Sequence, residues 1–271
     1  MSSNTERSVE IAIGRRRWNI ASDDDYLSWL GTDFEPQTVA LLDTLFSSES
    51  VVLDVGANIG CTSILFGQRA RRVIAFEPSP TTFRYLQRNI GGAELRNVEL
   101  HNFALGATEG ASQLTFAASN RSGGFVSDKT RTSAGHVTES IAIRRLDDIA
   151  GNLALDALDL IKLDVEGFER SVLEGAPATL ARFRPAAAIE LNHWCLNALQ
   201  RICVPDFLDY LSATFPVLLA VEGDRYLDIK DAGERYIVMY HHINHFQYVN
   251  LVGAFSTDQL ARFLARYRHS S

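Results

Sequence analysis

Three short stretches of this chain carry residue types and spacings that chemistry can use. The first is Asp54-Val-Gly-Ala-Asn-Ile-Gly60, a glycine loop headed by an acid, with Glu77 further on. The second is Ile-Lys-Leu-Asp-Val-Glu-Gly at 161–167, which offers Asp164 and Glu166. The third is Ile-Glu-Leu-Asn-His-Trp at 189–194, which offers Glu190, Asn192 and His193. Side chains two apart on a strand share a face, so Asp164 with Glu166, and Glu190 with Asn192, would project together. If the stretches end neighbouring strands, one rim gathers several carboxylates and a histidine beside a glycine loop.

The glycine loop follows the apolar run VVLDV (51–55), and Glu77 closes the run RVIAFE (72–77). Loops between strand and helix are where open α/β sheets bind nucleotide-like ligands. Gly56 permits a tight turn and the close approach of a ligand, and Gly60 lets the helix pack against the strand. The pattern lacks the third glycine of dinucleotide enzymes and the Gly-Lys-Ser/Thr of phosphate loops. Asp54 would repel a pyrophosphate but could serve an ammonium, directly or through water. Adenosylmethionine, which carries an ammonium and a sulfonium but no phosphate, fits that logic. A carboxylate at Glu77 can accept both hydroxyls of a ribose. His101-Asn-Phe-Ala104 ends the next strand on the same rim. There Asn102 and the backbone to Ala104 would either contact an adenine or form an ordinary strand exit.

Methyl transfer is an in-line displacement in which the protein aligns the partners and removes the acceptor's proton. An aliphatic hydroxyl needs a positioned base. His193 is the natural candidate because its unperturbed pKa lies near neutrality. Asp164 or Glu166 could be the base instead, or could orient it. A divalent metal on Asp164, Glu190 and Asn192 is a further possibility, since oxygen ligands suit Mg²⁺; no metal is assigned. Lys162 reads as structural. His241, His242 and His245 read as non-catalytic, on a tail strand or loop. Trp194, Tyr226 and Phe125 are candidate stacking groups for an acceptor.

The elements that must position these residues follow from periodicity. Residues 8–20 alternate around Gly14 and predict a hairpin. A helix follows from Glu35 to Phe46, with Pro36 in its first turn. Strand, helix and strand then succeed one another from Ser50. Ser79 and Pro80 start a helix whose apolar face is Phe83, Leu86 and Ile90, ended by Gly91-Gly92. Strands are expected at 97–105, 114–118, 140–146, 158–165 and 185–192. Between 119 and 139 lies a polar Ser/Thr/Gly-rich stretch that reads as a long loop, a candidate lid. A helix is expected over 167–183, interrupted at Pro177, and another over 206–213. VLLAVEG and RYLDIKD form a hairpin, and a final helix spans 257–266. Alternating strands and helices predict a mostly parallel sheet covered on both faces. Residues 1–48 form an N-terminal extension, and 49–271 one globular unit.

Composition narrows the class. The chain has 271 residues and a net charge of -7. An acidic balance does not suit coating nucleic acid or an anionic membrane. No run approaches the ~18 apolar residues needed to span a bilayer, and the polar start MSSNTERSVE lacks a secretory signal. Three cysteines without a Cys-x-x-Cys pair argue against a disulfide framework or a zinc site, and favour the cytoplasm.

VLDVGANIG (52–60), FEPSP (76–80), LDDI (146–149) and IKLDVEGFERSVLEGA (161–176) resemble the FkbM family of methyltransferases. The resemblance runs from about Phe34 to His193 and fades on either side. It implies a class I methyltransferase fold, Rossmann-like, with seven mostly parallel strands and a hairpin insertion. It also implies adenosylmethionine as donor and O-methylation of a sugar, polysaccharide end or natural-product hydroxyl. Position by position, Asp54, Gly56, Ala57, Asn58, Gly60, Glu77, Pro78 and Asp164 become donor-binding residues, and Asp164 and Glu166 active-site residues. The partner is then a small-molecule or glycan acceptor, with a homodimer possible. A nitrogen or carboxylate methyltransferase and a nicotinamide oxidoreductase remain as alternatives.

Overall fold

The computed structural model describes residues 6–130 and 135–270. The chain opens with an antiparallel hairpin, β1 (Arg7–Ile13) and β2 (Arg16–Ser22). The α/β rhythm then begins with β3 (Val51–Val55), β4 (Arg72–Phe76) and β5 (Val98–His101), which pair in parallel. Next come β6 (Ala104–Leu105), β7 (Gly110–Ala117), β8 (Asn120–Val126) and β9 (His136–Arg144). The parallel sheet resumes with β10 (Leu160–Leu163) and β11 (Ala186–Glu190). The chain closes with β12 (Val217–Glu222), β13 (Arg225–Asp228), β14 (Asn250–Ala254) and β15 (Arg268–His269).

The main sheet has nine strands in the order β15-β13-β12-β14-β11-β10-β3-β4-β5. β14 runs antiparallel to both β11 and β12. The seven strands from β12 to β5 match the expected core, and β13 and β15 extend its edge. The order reverses between β3 and β10, and ligands bind at such switch points beyond the carboxyl ends of the strands. This is the class I methyltransferase fold.

β3 and β10 are buried along their whole length because both sheet faces are covered. Val51, Leu53 and Val55 face one core, while Val52 faces the other with Ile11, Ile20 and Phe34 of the N-terminal extension. The extension therefore shares its core with the sheet. Ser79 caps the helix Pro80–Gly92 by accepting the Thr82 N–H at 3.0 Å. No helix among the described residues is long and apolar enough to cross a membrane.

Three sequence expectations need correction. The stretch 119–139 is largely strand, not loop: β8 and β9 cover most of it, and residues 131–134 lie outside the described residues. Its polar character reflects strands with one face in water. His241, His242 and His245 lie on the helix Ala232–His245, started by Asp231, whose carboxylate accepts the Gly233 and Glu234 N–H groups. Tyr226 on β13 packs beside Phe263 and His269, at the far edge of the sheet from the glycine loop.

Candidate active site

The carboxyl ends of β3, β4, β5 and β10 form the floor of a cleft, and β7 and β8 form its roof. The cleft encloses about 690 Å³ of non-protein space, its open mouth included. Gly56, Asn58, Glu77, Pro78, Asp164 and Glu166 border it, with an apolar slot from Phe103, Ala104, Leu105, Val126 and Phe168. That mixture of polar groups and an apolar slot suits a small polar ligand with one flat apolar part.

Each polar group on the floor is held by its loop. The Gly56 and Ala57 N–H groups both donate to the Phe76 carbonyl, tying the glycine loop to β4. Gly56 has φ +82°, and a Cβ there would lie 1.9 Å from the Asp164 carbonyl oxygen. The close approach it permits is of neighbouring backbone, at a position that also borders the cleft. At Gly60 a Cβ would meet Leu86 at 2.8 Å, so this glycine seats the helix Pro80–Gly92. Ala57 and Gly60 shape the loop and do not border the cleft.

Glu77 is buried and accepts the Asn58 N–H at 3.0 Å and the Ser79 N–H at 2.8 Å. Burial pushes its carboxyl up to about 7, against the pull of those two donors. A carboxylate can accept about four hydrogen bonds, so capacity remains for a ligand's hydroxyls. Asn102 donates to the carbonyls of Glu77 (2.9 Å) and Pro78 (3.0 Å). Its side chain braces that turn and does not line the cleft.

Asp54 is fully buried and also lies behind the cleft wall. It accepts the hydroxyls of Thr62 (2.8 Å) and Ser63 (2.6 Å). Lys162, opposite it in register, places Nζ 3.4 Å from both Asp54 Oδ1 and Asp164 Oδ2, and donates to the Gly56 carbonyl at 2.9 Å. Burial works against the Lys162 charge, but Asp164 and Asp54 outweigh it and hold the ammonium above its usual range. The sequence reading of Lys162 as structural left its partners unnamed. A lysine in an apolar strand reveals its role only through the register with Asp54.

Asp164, Glu166 and Glu190 each bring a carboxylate oxygen within 4.8 Å of the others. Glu166 sits in the left-handed region at φ 52° and accepts Cys195 Sγ at 3.0 Å. Burial, then the charge of Asp164, pushes Glu166 up to about 7. Burial followed by Asp164 and Glu166 raises Glu190 as well. Buried Glu169 was also missed. It accepts the N–H groups of Val165 (3.0 Å) and Gly167 (3.3 Å), fixing the turn that presents Glu166. Asp164 borders a second cavity too, with Glu35, Thr38, Glu190 and Asn250.

His193 is not brought to this group. Its ring packs against His242 and Phe246, with centroids 5.0 and 5.1 Å apart, and it borders neither cavity. Its backbone N–H donates to Nε2 of His242, which burial pushes down to about 4. Asn192 caps its own turn by accepting the Cys195 N–H at 3.2 Å. Phe125 is buried against Cys195 and Leu199, and Trp194 is exposed.

A switch-point cleft with a glycine loop, a carboxylate ending the second parallel strand and acids on the next strands is the arrangement of class I methyltransferases. The chain belongs to the FkbM methyltransferase family: the model of the methyltransferase FkbM domain matches residues 54–222. It is 30% identical over 178 residues to Methyltransferase 1 of Beauveria bassiana, covering 58% of this chain and 66% of that protein. It is also 30% identical over 164 residues to the 2-O-methyltransferase NoeI of Sinorhizobium fredii, covering 55% and 65%. The match thus spans just under two thirds of these relatives. Among solved structures, the methyltransferase FkbM of Methylobacillus flagellatus is 23% identical over 64% of this chain and 40% of that one, with a TM-score of 0.43.

Proposed function

We propose that this protein transfers a methyl group from S-adenosylmethionine to a hydroxyl oxygen of a saccharide or secondary metabolite. The observation that carries this is the meeting of two cavities at Asp164, one with an apolar slot and Glu77, the other lined by acids. The residues fit an adenosyl group. Phe103, Ala104 and Phe168 suit a flat base, and Glu77 retains free lone pairs for a ribose. The donor supplies an electrophilic methyl on a sulfonium. Glu166 takes the acceptor's proton. Its carboxyl, at about 7, is ionised often enough near neutrality to act and basic enough to be effective. Asp164 lies between the two ligands and orients them. NoeI bears the name of a 2-O-methyltransferase, which favours an oxygen acceptor.

The test is transfer of labelled methyl from the donor to a panel of hydroxylated acceptors, with wild type and Glu166→Gln. We expect the variant to lose about 10²- to 10⁴-fold in kcat, the usual range for a general base, and to bind adenosylhomocysteine nearly as well. Donor binding without transfer to any hydroxyl would sink the proposal. Full activity in Glu166→Gln would point to a nitrogen acceptor instead.

A further inference from the structure

The donor inferred above has one anionic group, the carboxylate of its amino-acid end, and the cleft floor offers it no positive side chain. The floor's acids are Glu77 and Asp164, which suit hydroxyls and cationic groups, and Glu166, which is assigned to the acceptor's proton. Lys162 borders the second cavity, not this one, and is engaged with Asp54, Asp164 and the Gly56 carbonyl. Among the described residues, the one cationic side chain that borders the cleft is Arg121, on the roof strand β8.

Arg121 is built in rather than draped over the surface. Its side chain is only 6% exposed. Its Nη2 is ion-paired with Asp23 and lies 3.6 Å from Asp24 Oδ2. Its backbone N–H donates to the same Asp24 carboxylate at 2.9 Å. The guanidinium carbon stands 5.8 Å from the centre of the Tyr85 ring, on the helix that follows Glu77. Two elements that do not belong to the main sheet thus fix this cation at the edge of the cleft. Yet Nε is buried and has no hydrogen-bond partner among the described residues. A guanidinium has five N–H donors in a rigid fork that matches a carboxylate. Here Nη2 is committed to the aspartates and Nε is unmatched.

We propose that Arg121 binds the carboxylate of the donor's amino-acid end. Asp23 and Asp24 hold the guanidinium in place before the ligand arrives, which limits the side-chain entropy lost on binding. The donor then satisfies the buried Nε–H. The proposal rests on the donor reading above, and the following experiment separates the two.

Binding is measured by calorimetry for adenosylhomocysteine and for 5′-methylthioadenosine, which keeps the adenosine and lacks the amino-acid end. The proteins are wild type, Arg121→Gln and Arg121→Lys. Wild type is expected to bind both. Arg121→Gln is expected to weaken adenosylhomocysteine by about ten- to a hundred-fold, the usual worth of hydrogen bonds to a charged group. Methylthioadenosine should change by less than about twofold, which also shows that the cleft is still folded. Arg121→Lys keeps the charge without the fork and should fall between. If Arg121→Gln does not fold, the same contrast between the two ligands is read on Arg121→Lys. Equal weakening of both ligands, or no weakening of adenosylhomocysteine, would overturn the inference. Failure of wild type to bind either ligand would overturn the donor reading itself.

Discussion

At the scale of single residues, Glu77 is drawn in two directions. Burial lifts its carboxyl to about 7, whereas ribose hydroxyls need it ionised to accept from them. If the donor binds the ionised form, affinity follows the ionised fraction. That fraction rises roughly tenfold between pH 6 and pH 8 for a group titrating near 7. The Kd of adenosylhomocysteine should therefore tighten by about that factor over the interval. Glu77→Gln should bind weakly with no such slope, and a slope retained in the variant would place the titrating group elsewhere. Lys162 allows a second prediction. Removing one partner of a buried ion pair typically costs about 3–5 kcal/mol. Lys162→Met should lose stability on that scale, read from denaturant midpoints. Adding Asp54→Asn should recover part of it, because one unpaired carboxylate is gone. The four candidate acids at strand ends could be read from the sequence because a strand's end is visible where its apolar run stops. The partners of Lys162, and the parts played by Glu169 and Arg121, could not. Their roles depend on a partner strand's register, on a turn's N–H groups and on a roof strand disguised as a polar loop.

At the scale of elements, the two loops that meet at the switch point touch through backbone. At Gly56, with its positive φ, a methyl group would collide with the Asp164 carbonyl. Gly56→Ala should destabilise the protein by well over ~1 kcal/mol, since strain at positive φ and a backbone clash add. Gly123 on β8 has open space around its Cα, and Gly123→Ala should be near neutral by comparison. Equal denaturant midpoints for the two variants would contradict this account. The same contrast explains what the sequence revealed. β3, β4 and the helix Pro80–Gly92 were legible because buried strands are continuous apolar runs and Ser79-Pro80 marks a start. The helix Ala232–His245 was hidden because Tyr236, Ile237, Tyr240 and Ile243 are exposed. Apolar residues on more than one face blur the helical period. β8 and the first part of β9 were hidden for the opposite reason, having too few apolar residues to show alternation, whereas the later part of β9 was expected within 140–146.

At the scale of the whole molecule, the interior carboxyls set a direction for stability against pH. Glu77, Glu166 and Glu169 are each raised to about 7, burial being the largest cause. The folded protein therefore keeps protons that the unfolded chain releases near the ordinary glutamate value. The stability they contribute is complete below that value and is lost as pH rises through about 7. The ligand-free protein should show a falling Tm from pH 5.5 to pH 8, and a flat or rising Tm would refute the shifts. One further consequence lies in how the chain is routed. The strands between Ala104 and Arg144 leave the parallel sheet after β5 and pair among themselves as β6-β9-β7-β8 before β10 rejoins it. No described strand of the roof shares a ladder with the floor. An insertion or deletion in the roof therefore leaves every register below it intact. Mutation can remodel this upper wall, with Arg121 and part of the apolar slot, without rebuilding the sheet beneath it, so the grip on the donor can drift while the acid-lined cavity stays as it is.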